Sequence, residues 1–326
     1  VVARLLLYVT ALGSVGLTLF VLLVRPPETV AGPSSRLAIR LALAGLVALA
    51  LRLGIAGMEL GGLPFGALAG TRPWTVALST TLAPATLVAV VGLVGLVGFA
   101  AGPRLPAIVT AAAALLVALS FGLTGHAATA PPRWLTAPAV SLHVLCGAFW
   151  LGSLLPLVWS LRLGPAQAAP VLRRFSRVAL LAVALLVAVG CVLAWIQLDG
   201  DLPALLTTAY GLRLSGKLAF VAGLLALAAV NRLVLTPALA HDRQGAGRRL
   251  RHSLHADLLL GLAVLAVTAT FPLSPPPRAL AAPPDGIESQ GITVVASGSG
   301  GQAALTLVPG HAGTNAMGAW VTDREG

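Results

Sequence analysis

Apolar segments of about 20 residues recur along the first 271 positions of this sequence. Proline, glycine and short basic clusters separate the segments. A helix rises about 1.5 Å per residue, so each segment is long enough to cross the hydrocarbon core of a bilayer. The predicted fold class is therefore an all-α polytopic membrane protein with about eight transmembrane helices and a short β-segment at the C-terminus.

The predicted spans are residues 4–24, 36–56, 74–100, 105–123, 138–161, 175–198, 210–235 and 252–271. The third span is longer than a bilayer requires, and Pro84 follows a Ser-Thr-Thr run inside it. Because proline interrupts the hydrogen bonding of a helix and a long span can also tilt, we expect a kink or a tilt there.

Composition excludes several classes of protein. Hydrophobic residues make up 57% of the chain, charged residues 10%, and the mean hydropathy is +0.94, which is far from a soluble domain. The net charge of +11 does not indicate a nucleic-acid partner, because the basic residues lie in short loops between apolar spans. The partner predicted by composition is the lipid bilayer.

The basic residues also predict an orientation. Most of the Lys and Arg residues fall in the connections 25–40, 162–177 and 232–251, together with Arg104. Positive residues concentrate on the cytoplasmic side of membrane proteins. We therefore expect a multi-pass protein with both termini extracytoplasmic.

The composition changes after the last span. Residues 1–271 form the predicted membrane core, residues 272–286 a stiff, extended Pro-rich linker, and residues 287–326 two or three strands of a partial extracytoplasmic β-domain. The chain starts at Val1 without Met, so we expect it to be a fragment or a processed chain.

One span carries unusual side chains for a membrane helix. In SLHVLCGAFWLGSLLPLVWS (141–160), His143, Cys146 and Trp150 share one helical face. An ionisable group in hydrocarbon is expensive and usually functional, although a histidine can also simply bond to a neighbouring helix.

Two further residues, together with His143 and Cys146, complete a predicted outer metal site. His126 follows the fourth span, and Cys191 lies in the sixth span at a depth similar to that of Cys146. Imidazole and thiol groups shielded from water suit Cu(I) better than Mg²⁺ or Ca²⁺. The alternative for each cysteine is a small apolar packing residue.

A second set of residues is predicted as a transit or release route. It consists of Met58, Lys217, His252, His255 and Asp257. The alternative for His252, His255 and Asp257 is ordinary polarity at the membrane interface. For Met58 it is a residue at a loop mouth, and for Lys217 it is a side chain that extends to the membrane surface.

Two other functions are excluded. Residues 211–217 match the nucleotide-binding pattern GxxxxGK, but Leu218 replaces the required Ser or Thr and no strand precedes the pattern, so we expect no nucleotide. The chain has no catalytic triad or paired carboxylates, and we do not expect an enzyme.

Several motifs resemble the copper resistance D (CopD) family of integral membrane proteins. Within residues 174–277 they are Arg174-Phe-Ser-Arg177, Gly190, Tyr210-Gly211 followed by Lys217, Asn231-Arg232, and Arg251-His-Ser-Leu-His-Ala-Asp257. Upstream, the segment LTGHAA around His126 and the segment around His143 also resemble the family. Asp257 stands where the family more usually has Glu. The tail resembles the start of a CopC-like or YtkA-like domain.

The resemblance implies copper handling at the bacterial inner membrane, often uptake from the periplasm, in copper homeostasis or resistance. It also implies that His126 and His143 are the family's histidines, and that a periplasmic copper-binding protein or a fused CopC-like domain is a partner. The cofactor would be a copper ion, Cu(I) or Cu(II).

Two alternatives to a copper permease stay open at this point. His126 and His143 are also suitable axial ligands for the haem of a b-type cytochrome. The chain could instead be a scaffold or sensor that binds copper without moving it.

Overall fold

A computed structural model describes residues 1–101, 106–125, 130–241, 243–280, 292–298, 301–309 and 315–322, and in the last three ranges only the backbone. The main helices are α1 (Val2–Val24), α2 (Glu28–Gly61), α3 (Arg72–Leu78), α4 (Leu82–Ala101), α5 (Ala107–Gly122), α6 (Arg133–Ser160), α7 (Pro165–Gln197), α8 (Ala204–Thr207), α9 (Ala209–Val230), α10 (Thr236–Ala240), α11 (Ala246–Thr270) and α12 (Pro277–Leu280). Short 3₁₀ turns cover Phe65–Ala69, Leu161–Leu163 and Phe271–Leu273.

The prediction of a helical membrane protein is confirmed. Within the described residues, six helical segments are long and apolar enough to cross a membrane. A seventh span is formed if α3 and α4 are counted together, although the chain bends by 93° between them. The predicted kink in the third span is this bend. The helix α5 is apolar but has only 16 residues, so the count of eight spans stays a prediction.

The helices α1 and α6 form the centre of the bundle. In each of these two helices, 61% of the most apolar 18-residue stretch is buried inside the bundle. The corresponding share is 6% in α7 and in α9, which lie at the periphery. The two central helices approach closely because glycines face each other. A methyl group placed at Gly152 of α6 would lie only 2.6 Å from the Cα atom of Gly16 in α1. Small residues at such positions allow the backbone contact that holds membrane helices together.

Hydrogen bonds group the helix ends into two sets. At one end, which we call the basic end, Arg174 of α7 donates to the carbonyl of Arg25, and Arg232 donates to the carbonyl of Ser176. At the other end, which we call the opposite end, Arg213 of α9 donates to the hydroxyl of Ser274. The basic end carries the clusters predicted to face the cytoplasm, while the orientation itself stays a prediction.

Several helices continue beyond the apolar segments that predicted them. The helix α2 begins at Glu28 and α7 at Pro165, each well before its apolar window. Hydropathy marks the part of a helix that suits lipid, whereas the helix ends where its backbone hydrogen bonding ends. The predicted spans therefore begin several residues too late at the basic end.

The seventh span contains an irregular turn. After α9, residues Asn231–Leu235 form a π-helical turn, and α10 continues from it. Such turns insert an extra residue into a helix and occur frequently at functional sites.

The start of the tail is helical. The 3₁₀ turn Phe271–Leu273 and the helix α12 occupy part of the predicted linker, so this part is not extended. Further on, β1 (Ile292–Gly298), β2 (Gly301–Pro309) and β3 (Asn315–Thr322) pair antiparallel in the order β1-β2-β3. The assignment of this sheet to an extracytoplasmic domain stays a prediction.

Candidate functional site

His143 lies on α6, about ten residues from the start of the helix, or ~15 Å along its axis. Its imidazole is half-buried between α6 and α7. The Nδ1 atom is 3.1 Å from the backbone carbonyl oxygen of Leu186 in α7. A histidine therefore connects a central helix to a peripheral one inside the apolar bundle.

This hydrogen bond determines the state of the ring. A carbonyl oxygen can only accept, so Nδ1 must carry the hydrogen and donate it to Leu186. In the neutral imidazole the lone pair is then on Nε2, which is the nitrogen left for a metal ion. Metal-binding histidines in proteins are commonly held in this way, with the other ring nitrogen bonded to a carbonyl group.

Gly190 provides the space for the ring. A methyl group placed at Gly190 would lie 3.1 Å from Cε1 and 3.5 Å from Nδ1 of His143. Glycine at this position lets α7 come close enough for its Leu186 carbonyl to reach the ring. One turn along α6, Gly147 also packs beside Leu186, so the two helices meet through small residues around the histidine.

Lys217 belongs to the same layer of the bundle. It lies on α9, half-buried, with Nζ 5.6 Å from the centre of the Phe271 ring. Its charge is close enough to interact electrostatically with His143. A positive charge that acts on a candidate metal ligand disfavours the binding of a metal cation there, and the aromatic face of Phe271 partly stabilises the ammonium group.

The side chains of α6 that the sequence assigns to one face do not all point toward α7. Cys146 and Trp150 are buried in the main hydrophobic core, whereas His143 and Gly147 turn toward α7. The thiol of Cys146 is free. It lies one turn deeper than the imidazole, as the sequence predicts.

Cys191 does not contact the imidazole face. The helices α6 and α7 pack together as expected, but the residue of α7 against the ring is Gly190, and the side chain of Cys191 is exposed on the surface of the bundle. Successive residues of a helix point about 100° apart, which separates these two neighbours. The predicted convergence of Cys191 on His143 is not seen.

His126 lies outside the described residues, so its predicted pairing with His143 stays a prediction. Within the described part of the chain, no three His, Cys, Asp or Glu side chains are grouped in a way that would hold a metal ion. The described residues therefore supply one oriented imidazole with a buried thiol one turn away, and a complete copper site requires a further ligand.

The predicted transit residues are dispersed. Met58 is buried near the end of α2, where α3 packs across the neighbouring Gly57. On α11, His252 and His255 are exposed, whereas Asp257 is buried and only 1% accessible. The two histidines do not share a site with the carboxylate, because they lie on different faces of the helix.

Three groups that orient these side chains were not predicted to do so. They are the carbonyl of Leu186, Gly190, and Asn231, whose Nδ2 donates to Oδ2 of Asp257 at 2.8 Å. A carbonyl leaves no signal in the side-chain pattern. A small residue on α7 at the depth of His143, and an amide at the end of an apolar span, are the signals that could have indicated the other two.

Comparison with known families identifies the membrane part. The Copper resistance protein D family matches residues 169–271, and the Copper resistance protein D-like N-terminal domain matches residues 1–131. The chain belongs to the copper resistance protein D family. The match over residues 169–271 contains Leu186 and Gly190, so the α7 residues that contact His143 lie within it, whereas His143 itself lies between the two matches.

The chain is also similar to the inner membrane protein YebZ of Escherichia coli strain K12. The two are 32% identical over 141 residues, which is 40% of this chain and 48% of YebZ. The chain thus spans about half the length of this relative. No solved structure matches the chain significantly.

Proposed function

We propose that this chain moves copper ions across the inner membrane, from the periplasm to the cytoplasm, and so contributes to copper homeostasis or resistance. Family membership supports copper as the cargo. The similarity to an inner membrane protein supports the location. In this proposal the basic end faces the cytoplasm, and the layer of His143 and Lys217 lies nearer the periplasm.

The observation that carries the proposal is the hydrogen bond from Nδ1 of His143 to the Leu186 carbonyl. It fixes the imidazole inside an apolar bundle and directs the metal-binding capacity to Nε2. Imidazole is a common ligand for copper. An unpaired nitrogen atom is unfavourable in an apolar environment, so a histidine that served only for packing would not be expected to keep Nε2 without a partner.

The remaining ligands are part of the proposal. His126 is the second histidine implied by the family resemblance, and Cys146 is a candidate ligand one turn deeper. A periplasmic copper-binding protein, or a complete domain formed with the C-terminal strands, would deliver the ion. Movement of an ion requires no bond to be broken in a substrate, so the proposal includes no enzymatic step.

The experiment compares copper accumulation in cells that express the wild type or a histidine variant. We expect His143→Ala to lower accumulation to that of cells without the protein. The matched control is His241→Ala, which removes an exposed imidazole from the turn after α10 and should accumulate copper like the wild type. Membrane fractionation must show equal insertion of all three proteins. Accumulation by His143→Ala at the wild-type level would contradict the proposal.

Two further measurements separate the alternatives. An absorption spectrum of the purified protein that contains a Soret band would indicate haem ligation instead of copper transport. Vesicles that contain the protein and bind copper at their outer surface, without any accumulation inside, would indicate a scaffold or sensor. We expect no Soret band, and accumulation of copper inside the vesicles.

A further inference from the structure

A second buried polar cluster lies toward the basic end of the bundle, away from His143. Asp257 is about eleven residues into α11, and its side chain is 1% accessible. Its Oδ2 atom accepts a hydrogen bond from Nδ2 of Asn231, at 2.8 Å. Asn231 is the first residue of the π-helical turn that follows α9. The irregular turn thus begins at the residue that contacts the carboxyl group.

The cluster holds three oxygen atoms that lack hydrogen-bond partners. They are Oδ1 of Asp257, Oδ1 of Asn231 and Oγ of Ser253. Ser253 precedes Asp257 by four residues, so both lie on the same face of α11. Buried polar atoms normally have partners, and those that do not require an explanation.

The charged groups on the surrounding elements are engaged or directed elsewhere. Next to Asn231, Arg232 donates to the carbonyl and hydroxyl of Ser176 on α7. On α11 itself, Arg248, Arg249, Arg251, His252 and His255 are exposed. The helices α1, α6 and α9 pack against α11, and their titratable groups lie nearer the opposite end. These groups are Arg4, Tyr8, Arg133, His143, Cys146, Tyr210, Arg213 and Lys217. Within the described residues, the amide of Asn231 is the polar group that contacts the carboxyl.

A bound proton accounts for this arrangement better than a metal ion does. An ionised carboxylate buried without a cation is very unfavourable in a membrane protein. A transition-metal ion would need space and several strong ligands, and within the described residues no three His, Cys, Asp or Glu side chains lie together here. A proton needs no space, removes the charge, and turns Oδ1 from an unpaired acceptor into a donor that can serve Asn231 or Ser253 after a small rotation.

We propose that Asp257, Asn231 and Ser253 form a proton-binding site inside the membrane. Uptake transfers one proton from water at the basic end to Oδ1 and converts the carboxylate into a neutral carboxylic acid. Release returns the proton to water and restores the negative charge. If copper transport proceeds as proposed above, the proton bound at this site is the ion to which copper movement is coupled. This coupling role rests on the proposed function.

The test of the site itself is infrared difference spectroscopy on the purified full chain in detergent, without copper, during a change of pH. We expect the C=O stretching band of a protonated carboxylic acid in the wild type and its loss in Asp257→Asn. The matched control is Asp201→Asn, which removes an exposed carboxylate from the loop before α8 and should leave the band unchanged. A wild-type spectrum identical to that of Asp257→Asn would overturn the proposal.

A second variant covers the case in which Asp257→Asn does not fold. Asn231→Leu removes the donor to Oδ2 and leaves the carboxyl in place. The stretching frequency of a C=O group rises when it loses a hydrogen bond, so we expect the band to shift upward. A band at the wild-type frequency in Asn231→Leu would overturn the assignment to this site.

Vesicles separate the failure of this inference from the failure of the proposed function. In vesicles that contain a pH-sensitive dye, we expect copper uptake by the wild type to be accompanied by proton movement, and copper uptake by Asp257→Asn to lack it. A carboxylic acid band without any copper movement would contradict the proposed function and leave the proton site standing. Equal proton movement with and without Asp257 would contradict the coupling role.

Discussion

Replacement of Gly190 by alanine should disturb the orientation of His143 without removing any ligand. The added methyl group would lie 3.1 Å from Cε1, whereas ordinary contacts between such atoms are about 3.5–4.0 Å. Relief requires the ring to move by roughly 0.3–0.5 Å. Because Gly190 and Leu186 are both on α7, the ring must move away from the carbonyl that it binds.

The magnitude follows from the length of the hydrogen bond. The distance from Nδ1 to the Leu186 oxygen is 3.1 Å, near the upper end of the usual range. A shift of that size lengthens it to about 3.4–3.6 Å, where little of the bond is left. Loss of such a supporting contact typically lowers metal affinity by about 10- to 100-fold. We therefore expect the copper concentration that gives half-maximal accumulation to rise by about this factor.

The assay is copper accumulation at increasing external copper, with the amount of inserted protein measured in the same membranes. Gly216→Ala is the control, because a methyl group there has no neighbouring atom within 4 Å and the gain in helix propensity is the same. A Gly190→Ala protein that inserts normally and accumulates copper like Gly216→Ala would refute the reasoning.

Two more predictions concern the residues around the site. Cys191→Ala should leave copper accumulation unchanged, because the thiol is exposed on the surface of the bundle, and a loss in the same assay would return Cys191 to the ligand set. Lys217→Met should lower the half-saturating copper concentration several-fold, because a positive charge that interacts with His143 is removed. An unchanged or higher value for Lys217→Met would show that the lysine does not oppose copper.

The membrane fold could be predicted largely from sequence because a bilayer imposes simple constraints. Apolar length indicates where the helices lie, and the segment from Ser79 to Pro84 indicates the bend before α4. The ends of the helices could not be predicted in the same way. Arg36 and Arg40 lie inside α2, because basic residues at a membrane interface do not stop a helix.

The candidate site could be predicted only in part. The position of His143 in an apolar span singled it out, and its depth relative to Cys146 followed from helical spacing. Its actual partner is a backbone carbonyl, which no side-chain pattern encodes. The helical face on which Cys191 lies could not be predicted from its depth. Gly190 faces the imidazole, whereas the next residue of α7 points about 100° away, to the surface of the bundle.

The buried environment of Asp257 required three-dimensional information for a different reason. The sequence places it near His252 and His255 and predicts that the three residues belong to one release route. The structure separates them because positions 252 and 255 face away from the bundle, while position 257 faces Asn231. Periodicity gives the angle between residues of one helix, but it does not say which neighbouring helix each residue meets.

The central claim is that Nε2 of His143 binds copper, and X-ray absorption at the copper edge tests it most directly. The sample is the purified full chain loaded with a copper salt, compared with His143→Ala prepared in the same way. We predict that the wild-type spectrum contains the multiple-scattering signal of a coordinated imidazole, and that this signal weakens or disappears in the variant. Equal copper content and identical spectra for the two proteins would contradict the claim.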